Sequence, residues 1–401
     1  MSKSNIPQEL KKHFPKEVQE SLIRLRRDLH QNPELSFKEE RTSQKLYDEL
    51  AQLNPVELVR VAGTGVVARI KGRNPGGPTV AVRGDIDALP IQEATGLEFA
   101  SQNDGVMHAC GHDVHATWAV GAAHLLAKEP AEGDVLIILQ PAEEIAKGAK
   151  AILETGILDK VSAILGAHVD RRFEVGQVVA DEGTVAAAAD MFEIELVGKG
   201  AHGARPQEGN DPVVGMAALI STLQTIVSRR LDPGKAGVVT VGMVRAGSAP
   251  NIIPETAMLM GTIRSFDPET RNLLHSEVKN IANSIAETFK LKCNIKSEYG
   301  TPPINNAAEP ISWARQAVSA LLGKEALVPF DMLNMGGEDF ACYMEKIPGC
   351  FIRIGAREPG GEIIPAHSSK FHAAEESIFV GAAVLAETAR VASRAVAPPR
   401  K

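Results

Sequence analysis

Hydrophobic and polar residues follow a regular alternation of helix and strand patterns in the first part of the chain. Apolar positions recur at helical spacing over residues 17–53, with a break at Asn32-Pro33, and again from Asp113 to Lys128. Short runs of strand-type residues lie between these segments, at GVVARI, TVAVRGD, DVLIILQ and VSAILGAH. Because strands that alternate with helices are typical of α/β proteins, the pattern predicts a domain with a mainly parallel sheet.

The pattern changes near residue 185. Residues 191–198 alternate apolar and polar, as in a half-exposed strand, and a helix follows with Asp211 as its N-cap and Pro212 at its first position. Two strands, a helix over about 269–289 and a last strand complete the order β-α-β-β-α-β, which is ferredoxin-like. We therefore predict a larger α/β domain formed by residues 1–185 and 301–401, with an α+β domain over 186–300 inserted into it.

Composition and charge narrow the class of protein. The chain has 401 residues, too many for one typical core, and its 43 Lys and Arg against 50 Asp and Glu give a net charge of −7. This mild acidity argues against a nucleic acid or an anionic membrane surface as the main partner. We expect no signal peptide and no membrane-spanning segment, because no suitable apolar run is found. The four cysteines are irregularly spaced, which favours a reducing cytoplasm.

Thiol, imidazole and carboxylate side chains occur at selected places in the predicted larger domain. Cys110 and His112 stand immediately before a helix, while the pair Glu143-Glu144 and His168 each follow a buried strand. Ligands bind at the carboxyl ends of strands in open α/β sheets, and Asp85 also follows such a strand. His367 is a further residue of a type that binds metals. Taken singly, each group is more often structural, since a buried cysteine usually acts as a small hydrophobe. Together they predict a site for a divalent metal ion.

Three other catalytic signatures are excluded. The segment GTGVVA at residues 63–68 matches a dinucleotide fingerprint, but a strand follows it where that fingerprint requires a helix. The chain contains neither a G-x-S-x-G nucleophile elbow nor an H-E-x-x-H zinc motif. The metal interpretation therefore depends on the dispersed Cys, His and Glu residues.

A series of longer motifs appears in order across nearly the whole chain: QNPELSFKEERTS, RGDIDALP, MHACGHDVH, QPAEE, GAHV, GKGAHGARP, NIIPETAMLMGTIRSFD, GGEDFACY and AHSSKF. Together they resemble the metallopeptidase-type amidohydrolases, which include hippurate hydrolase, N-acyl-amino-acid deacylases and auxin-conjugate hydrolases. The resemblance implies a zinc-peptidase-like catalytic domain and a ferredoxin-like lid that usually also dimerises. A homodimer or a higher homo-oligomer is therefore expected.

The resemblance also assigns roles to individual residues. It implies two divalent metal ions per subunit, Zn²⁺ or Mn²⁺ in the first place and Co²⁺ or Ni²⁺ as alternatives. The general base falls on Glu143, and Asp85 and Asp87 fall in the motif that supports the site. The metal ligands fall on Cys110, His112, Glu144, His168 and His367.

Three residues of the inserted domain are implied to act on the substrate. His202 would donate a hydrogen bond to the developing oxyanion, and Asn251 and Arg264 would bind the substrate. The alternative for His202 and Asn251 is that they only stabilise their loops. Departures from the family pattern at Asp170 and His372 bear on substrate preference rather than on the reaction.

Three functions remain open at this point. The first is hydrolysis of N-acyl amino acids, and the second is a dipeptidase or carboxypeptidase of the same fold. The third, a non-catalytic metal-dependent binding protein, is disfavoured because the base Glu143 is present. Two dications carry more charge than a thiolate, a carboxylate and a hydroxide remove, so the site stays positive and favours a substrate with a carboxylate.

Overall fold

The computed structural model describes residues 6–74 and 76–397. The α-helices of this part are α1 (Ile6–Lys11), α2 (Lys16–Gln31), α3 (Glu40–Ala51), α4 (His112–Lys128), α5 (Gly148–Glu154), α6 (Pro212–Thr225), α7 (Pro268–Thr288), α8 (Ala308–Leu322), α9 (Ala341–Met344) and α10 (Glu376–Ala395). The strands are β1 (Glu57–Val61), β2 (Gly65–Ile70), β3 (Thr79–Asp85), β4 (Val135–Gln140), β5 (Val161–Glu174), β6 (Val178–Val179), β7 (Gly183–Ala186), β8 (Ala188–Val197), β9 (Ala201–His202), β10 (Gly237–Ala246), β11 (Ile252–Ile253), β12 (Thr256–Ser265), β13 (Lys292–Thr301), β14 (Ile304–Asn306) and β15 (Gly349–Arg357).

The described residues divide into two compact units, of which the larger lies within Met1–Gly183, Asn305–Met332 and Asp339–Lys401. Its sheet has the strand order β1-β2-β4-β3-β5-β15-β6. The four strands β4, β3, β5 and β15 are parallel, and the strands outside them are antiparallel. Strands that are covered on both faces need nearly continuous apolar sequence, which β4 has. The predicted α/β class with a mainly parallel sheet is confirmed.

Helix α4 packs closely on the sheet of the larger unit. A Cβ atom on Gly84 of β3 would lie 2.5 Å from the carbonyl oxygen of His115, so glycine is needed where this helix meets the strand. On its other side, Trp118 packs against Gly381 of α10, where a Cβ atom would lie 2.2 Å from the indole ring. These close contacts fix the amino end of α4, where the first helical residue is His112.

The smaller unit comprises Thr184–Ile304 and Leu333–Glu338. Its antiparallel sheet has the order β10-β12-β8-β13, and α6 and α7 pack on it. The buried residues Phe192, Ile194 and Leu196 alternate along β8, as the sequence pattern predicted. The element order β-α-β-β-α-β agrees with the sequence analysis, while the roles of this unit as lid and dimerisation domain stay predictions.

Helix α6 begins as predicted, because the Asp211 side chain accepts the N–H of Val213 at 2.8 Å and Pro212 follows the cap. The helical stretch Pro212–Arg230, which contains α6 and the residues after it, is long and apolar enough, by length and composition, to cross a membrane. A core helix of a soluble protein meets the same conditions, and Leu219 and Leu223 of α6 are buried in the core of the smaller unit. The stretch is therefore weak evidence for a membrane span.

Candidate metal and catalytic site

The turn from Cys110 to His112 brings a thiol and an imidazole to the amino end of α4. Gly111 between them has φ 87°, a left-handed conformation that favours glycine. A Cβ atom on Gly111 would lie 2.4 Å from Cγ2 of Val169, so a larger residue would not fit without a shift. The local sequence Cys-Gly-His thus allows the chain to turn sharply between two predicted ligands.

The structure brings the predicted ligands of the larger unit together around the carboxyl ends of β3 and β4. Sγ of Cys110 is 3.3 Å from Nε2 of His168, and Nε2 of His367 is 3.4 Å from a carboxylate oxygen of Glu144. Three overlapping groups have their donor atoms within 4.8 Å of one another: Cys110, His112 and His168; Cys110, Glu144 and His367; His112, Glu143 and Glu144.

Two histidines are oriented by hydrogen bonds at Nδ1. In His112 this nitrogen lies 2.9 Å from the backbone oxygen of Asp87, and in His168 it lies 2.6 Å from the carbonyl oxygen of Val169. Since a carbonyl oxygen only accepts, Nδ1 carries the proton in each ring and donates it. The other nitrogen, Nε2, then offers its lone pair to the cluster, as in histidines that bind metals.

The donor set fits a divalent metal ion. Nε2 of His112 and Oε1 of Glu144 are buried 3.8 Å apart, and neither has a hydrogen-bond partner among the residues that the structure describes. Buried polar atoms are rarely left without a partner, and a cation between these two would satisfy both. Thiolate, imidazole and carboxylate groups are the usual ligands of zinc and of similar divalent ions.

Several groups of this cluster hold protons when no metal is bound. Hydrogen bonds with Cys110 and Glu144 raise the pKa of His367 to about 10. Burial favours the neutral ring of His112, but the charge of Asp85 and hydrogen bonds with Asp87 and Cys110 together outweigh it and raise the pKa of His112. Burial and the nearby charge of Glu144 raise the pKa of the Cys110 thiol. A metal that binds here must displace these protons.

Backbone hydrogen bonds fix the turn that carries the two glutamates. The N–H groups of Glu143 and Glu144 each donate to one oxygen of Asp87, at 3.1 Å in both cases. The hydroxyl of Ser36 donates to the same carboxylate at 2.6 Å. Ala142, which precedes Glu143, has φ 54°, a left-handed conformation that is uncommon for a residue with a side chain. Because its carboxylate accepts from Ser36 and from both glutamates, Asp87 lies directly behind the cluster.

Asp85 belongs to a buried polar network beside the cluster. One of its oxygens is 2.6 Å from Nδ1 of His115 and 3.8 Å from Nε2 of His112, and the other accepts from Arg83. Arg83 also donates to Asp339 at 3.0 Å. Sequence reasoning did not single out Arg83, His115 or Asp339. A signal was present, because Arg83 and Asp85 share one face of β3, and His112 and His115 are three apart on α4.

The residues assigned from the inserted domain lie in the smaller unit. His202 is exposed on β9, where it pairs with Ile252 of β11. The N–H of Gly203 donates to the backbone oxygen of Asn251 at 2.8 Å, so His202 and Asn251 lie on neighbouring segments. Arg264 is half-buried near the end of β12, and burial lowers its pKa. Within this unit the structure brings His202 and Asn251 together, and Arg264 lies on a different strand.

Comparison with known proteins identifies the family. Residues 81–391 match the family described as peptidase family M20/M25/M40. An N-acetylcysteine deacetylase of Bacillus subtilis (strain 168) is 42% identical over 372 residues, which cover 92% of this chain and 96% of that protein. Thermostable carboxypeptidase 2 of Saccharolobus solfataricus is 35% identical over 382 residues, which cover 92% of this chain and 95% of that protein.

A solved structure is similar over nearly the whole chain. The Bacillus subtilis YXEP protein, described as a dinuclear metal-binding peptidase of the M20 family, is 37% identical and superposes with a TM-score of 0.83. The match covers 95% of this chain and 100% of that chain. The resemblance on which the sequence analysis relied is therefore confirmed. The chain belongs to the peptidase family M20/M25/M40 and is a metal-dependent amidohydrolase.

Proposed function

We propose that this protein hydrolyses the amide bond of N-acyl amino acids at a centre of two divalent metal ions. The observation that carries the proposal is that Cys110, His112 and Glu144 each belong to two of the three overlapping donor groups. Six donor residues in one cluster exceed the four that a structural zinc ion takes. The set is thus large enough for two ions and a further carboxylate that transfers protons.

The metals would be held by five residues of the larger unit. The thiolate of Cys110 favours Zn²⁺, with Mn²⁺ as the next choice and Co²⁺ or Ni²⁺ as alternatives. When bound, divalent ions supply Lewis acidity for the amide carbonyl and for the attacking water. Asp87 orients the ring of His112 from behind, and Asp85 lies beside it. The proposed ligands are Cys110, His112, Glu144, His168 and His367.

Glu143 is the general base of the proposed reaction. Its Oε2 lies 3.9 Å from Nε2 of His112, and its Oε1 accepts the N–H of Asp339 at 3.4 Å. The carboxylate is therefore restrained at the edge of the donor cluster, where it takes a proton from the attacking water and delivers it to the leaving amine. Glu144 differs in that its carboxylate lies beside His367, in a ligand position.

The smaller unit would supply groups that recognise the substrate. His202 donates a hydrogen bond to the developing oxyanion, and Asn251 and Arg264 bind the substrate. The exposed position of His202 on a turn with glycines at residues 200 and 203 supports this role, because little bulk surrounds its ring. The positive charge of two bound ions favours a free α-carboxylate, and the N-acetylcysteine deacetylase relative supports an N-acyl amino acid as the substrate class.

A dipeptidase or carboxypeptidase activity is the second candidate. Its support is the thermostable carboxypeptidase, which is 35% identical over most of the chain. A non-catalytic metal-dependent binding protein is a more remote alternative, and the carboxylate of Glu143 within the donor cluster counts against it.

We also propose a cytoplasmic enzyme that forms a homodimer or a larger homo-oligomer through the smaller unit. Cys110, Cys293 and Cys350 are free thiols, as a reducing compartment favours. On α6, Val213 and Val214 are 41% and 52% exposed, which gives this helix an apolar surface for a second copy. The net charge of −7 argues against nucleic acid and against anionic membranes as partners.

The test is a substrate panel with the metal-loaded enzyme. N-acetyl and N-benzoyl amino acids are compared with dipeptides that have a free amino terminus, using enzyme loaded with Zn²⁺ or Mn²⁺ and enzyme treated with a chelator. We expect the highest kcat/KM for an N-acyl amino acid, and loss of activity after chelation that returns with metal. A higher kcat/KM for the dipeptides would favour the peptidase, and full activity of metal-free enzyme would contradict the proposal.

A further inference from the structure

Three consecutive backbone N–H groups hold the turn that carries the two glutamates. The N–H of Ala142 donates to Oε1 of Glu39 at 3.0 Å, and those of Glu143 and Glu144 donate to Asp87 at 3.1 Å. All three acceptors are carboxylate oxygens, which form stronger hydrogen bonds than neutral acceptors. Asp87 already has a place in the proposed site, whereas Glu39 lies 103 residues before Ala142 and has no assigned role.

The surroundings of Glu39 explain why a carboxylate is found there. The side chain is completely buried, directly before α3, and its second oxygen accepts the hydroxyl of Thr64 at 2.6 Å. Among the residues that the structure describes, no cation forms an ion pair with it. Burying a carboxylate is unfavourable unless its oxygens are hydrogen-bonded. Besides its own backbone N–H, the donors to this carboxylate in the described part of the chain are Thr64 and Ala142, so holding these two segments is the role that its position supports.

The turn that carries the two glutamates has strained residues, so it needs hydrogen bonds from other parts of the chain. Ala142 and Ala146 have φ 54° and φ 56°, left-handed conformations that a residue with a side chain adopts only when its surroundings require them. Pro141 has no N–H, so the N–H of Ala142 is the first donor that the turn offers. Without Glu39, the strained residue next to Glu143 would lose the hydrogen bond that holds it.

We propose that Glu39 is a positioning residue, which fixes the backbone at Ala142 and thereby the direction of the Glu143 side chain. The proposal rests on the proposed function in that Glu143 is taken as the base. A rotation of the backbone at Ala142 moves the Glu143 carboxylate directly, because the two residues are adjacent. Misplacement of a reacting group by about 1 Å lowers rates by about 10²-fold, so a residue that never touches the substrate can control kcat.

Three substitutions at residue 39 separate the effect of side-chain length from the effect of charge. Glu39→Gln keeps the length of the side chain and one acceptor oxygen for Ala142, and its amide can donate to the Thr64 hydroxyl. Glu39→Asp keeps the charge but is shorter by one methylene group. Glu39→Met keeps the approximate volume and removes both acceptors. If positioning depends on the acceptor at Ala142, only Glu39→Gln should behave like the wild type.

Two measurements are made on each variant. The first is hydrogen exchange of the peptide covering residues 139–147 in the metal-free protein, which reports on the turn without depending on activity. The second is the separation of kcat from KM in the metal-loaded enzyme, with metal content determined in parallel. In Glu39→Asp and Glu39→Met we expect faster exchange in this peptide and a kcat lower by about 10–100-fold, with KM little changed. Glu39→Gln should restore both the slow exchange and kcat.

The results of these measurements either support or overturn the positioning role of Glu39. Wild-type exchange over residues 139–147 in Glu39→Asp and Glu39→Met would overturn the proposal, and so would a Glu39→Gln enzyme as slow as Glu39→Met. If Glu39→Met does not fold, the comparison of Glu39→Gln with Glu39→Asp still carries the test, because both keep a polar group. An inactive wild type would contradict the proposed function, while the exchange measurement would still test Glu39.

Discussion

The carboxylate of Asp87 lies 3.2 Å from Nδ1 of His112, on the same side of the ring as the backbone oxygen of Asp87 at 2.9 Å. Both groups accept the same N–H, so the proton is held at Nδ1 and Nε2 is left for a metal. Through the N–H groups of Glu143 and Glu144, the same carboxylate also holds the two glutamates. Substitutions at Asp87, Glu143 and Glu144 should therefore distinguish a residue that orients the site from residues that bind metal or transfer protons.

Substitution of each of the two adjacent glutamates should have a different effect, on kcat for Glu143 and on metal content for Glu144. Glu143→Gln keeps the shape of the side chain but takes up no proton, so kcat should fall by roughly 10²–10⁴-fold while metal content stays near that of the wild type. Glu144→Gln should lose metal first, because its carboxylate lies among the proposed ligands. Activity assays with elemental analysis check both variants. Metal loss in Glu143→Gln with retention in Glu144→Gln would reverse the two roles.

Asp87→Asn should weaken metal binding without removing a ligand. The amide has one acceptor oxygen where the carboxylate has two, so it cannot serve the donors from Ser36, Glu143 and Glu144 together. Loss of a group that orients a metal-binding histidine lowers metal affinity by about 10–100-fold. Competition with a chelator measures the Kd. Ser36→Ala, which removes only one donor, is the matched control and should have a smaller effect; equal Kd values for Asp87→Asn and the wild type would contradict the assignment.

Metal binding should release protons. In the metal-free protein the pKa of His367 is raised to about 10, and the pKa values of His112 and Cys110 are raised as well, so these groups are protonated at neutral pH. Because protons and metal compete for the same atoms, metal affinity should rise between about pH 6 and about pH 8. Calorimetry in buffers of different ionisation enthalpy counts the protons. The His367→Ala variant should release fewer protons when it binds metal. Identical heats of metal binding in all buffers would show that no protons are released.

Asp190 should make the smaller unit sensitive to acid. Burial opposes ionisation, but hydrogen bonds from Arg271 and His275 outweigh it and lower the pKa of Asp190 to about 2. A carboxyl group whose pKa is lower in the folded state contributes stability above its unfolded value of about 4, and this contribution is lost as the pH falls toward about 2. The shift corresponds to about 2 kcal/mol.

The matching variant is Asp190→Asn, followed by thermal unfolding between about pH 7 and about pH 2. At neutral pH it should have a lower Tm than the wild type, and the difference should shrink below about pH 4. A difference that stays constant over this range would show that the ionised carboxylate is not what stabilises the fold. Glu193→Gln on the same strand, where the ion pair with Lys296 is exposed, is the control and should change Tm little.

We predict that His202 acts in the active site of a partner subunit, because it is exposed on β9 of the unit through which we propose that the chain dimerises. Loss of one oxyanion donor lowers kcat by about 10²–10³-fold, so His202→Ala should be nearly inactive with intact metal content. Mixing it with Glu143→Ala creates heterodimers in which one site has both groups. Activity after subunit exchange should rise well above that of either parent. If heterodimers are verified and activity does not rise, His202 acts within its own chain or only stabilises its turn.

The local elements and the chemical groups of the site could be predicted from the sequence alone. The helical spacing of 113–128, the Asp211-Pro212 helix start and the alternation along β8 each depend on residues within a few positions, so they can be read without knowing the rest of the chain. The motifs also contained the Cys, His and Glu residues that the structure brings together. Strands β1 and β15 were not singled out, because short runs of this kind are ambiguous without their neighbours.

Contacts between residues that are distant in the sequence could not be predicted and are seen only in the fold. The hydrogen bond from Ala142 to Glu39 joins positions 103 apart, and that from Arg83 to Asp339 joins positions 256 apart. Such contacts depend on the order of the strands in the sheet and on how the helices cross it, which periodicity does not encode. The first of these contacts holds the left-handed turn at Ala142, and a contact of the same kind, with the backbone oxygen of Asp87, keeps the proton of His112 at Nδ1. The sequence supplied the proposed ligands, and the packing of β3, β4, β5 and α4 set the directions in which they point, because a side chain's orientation depends on partners far away in the chain.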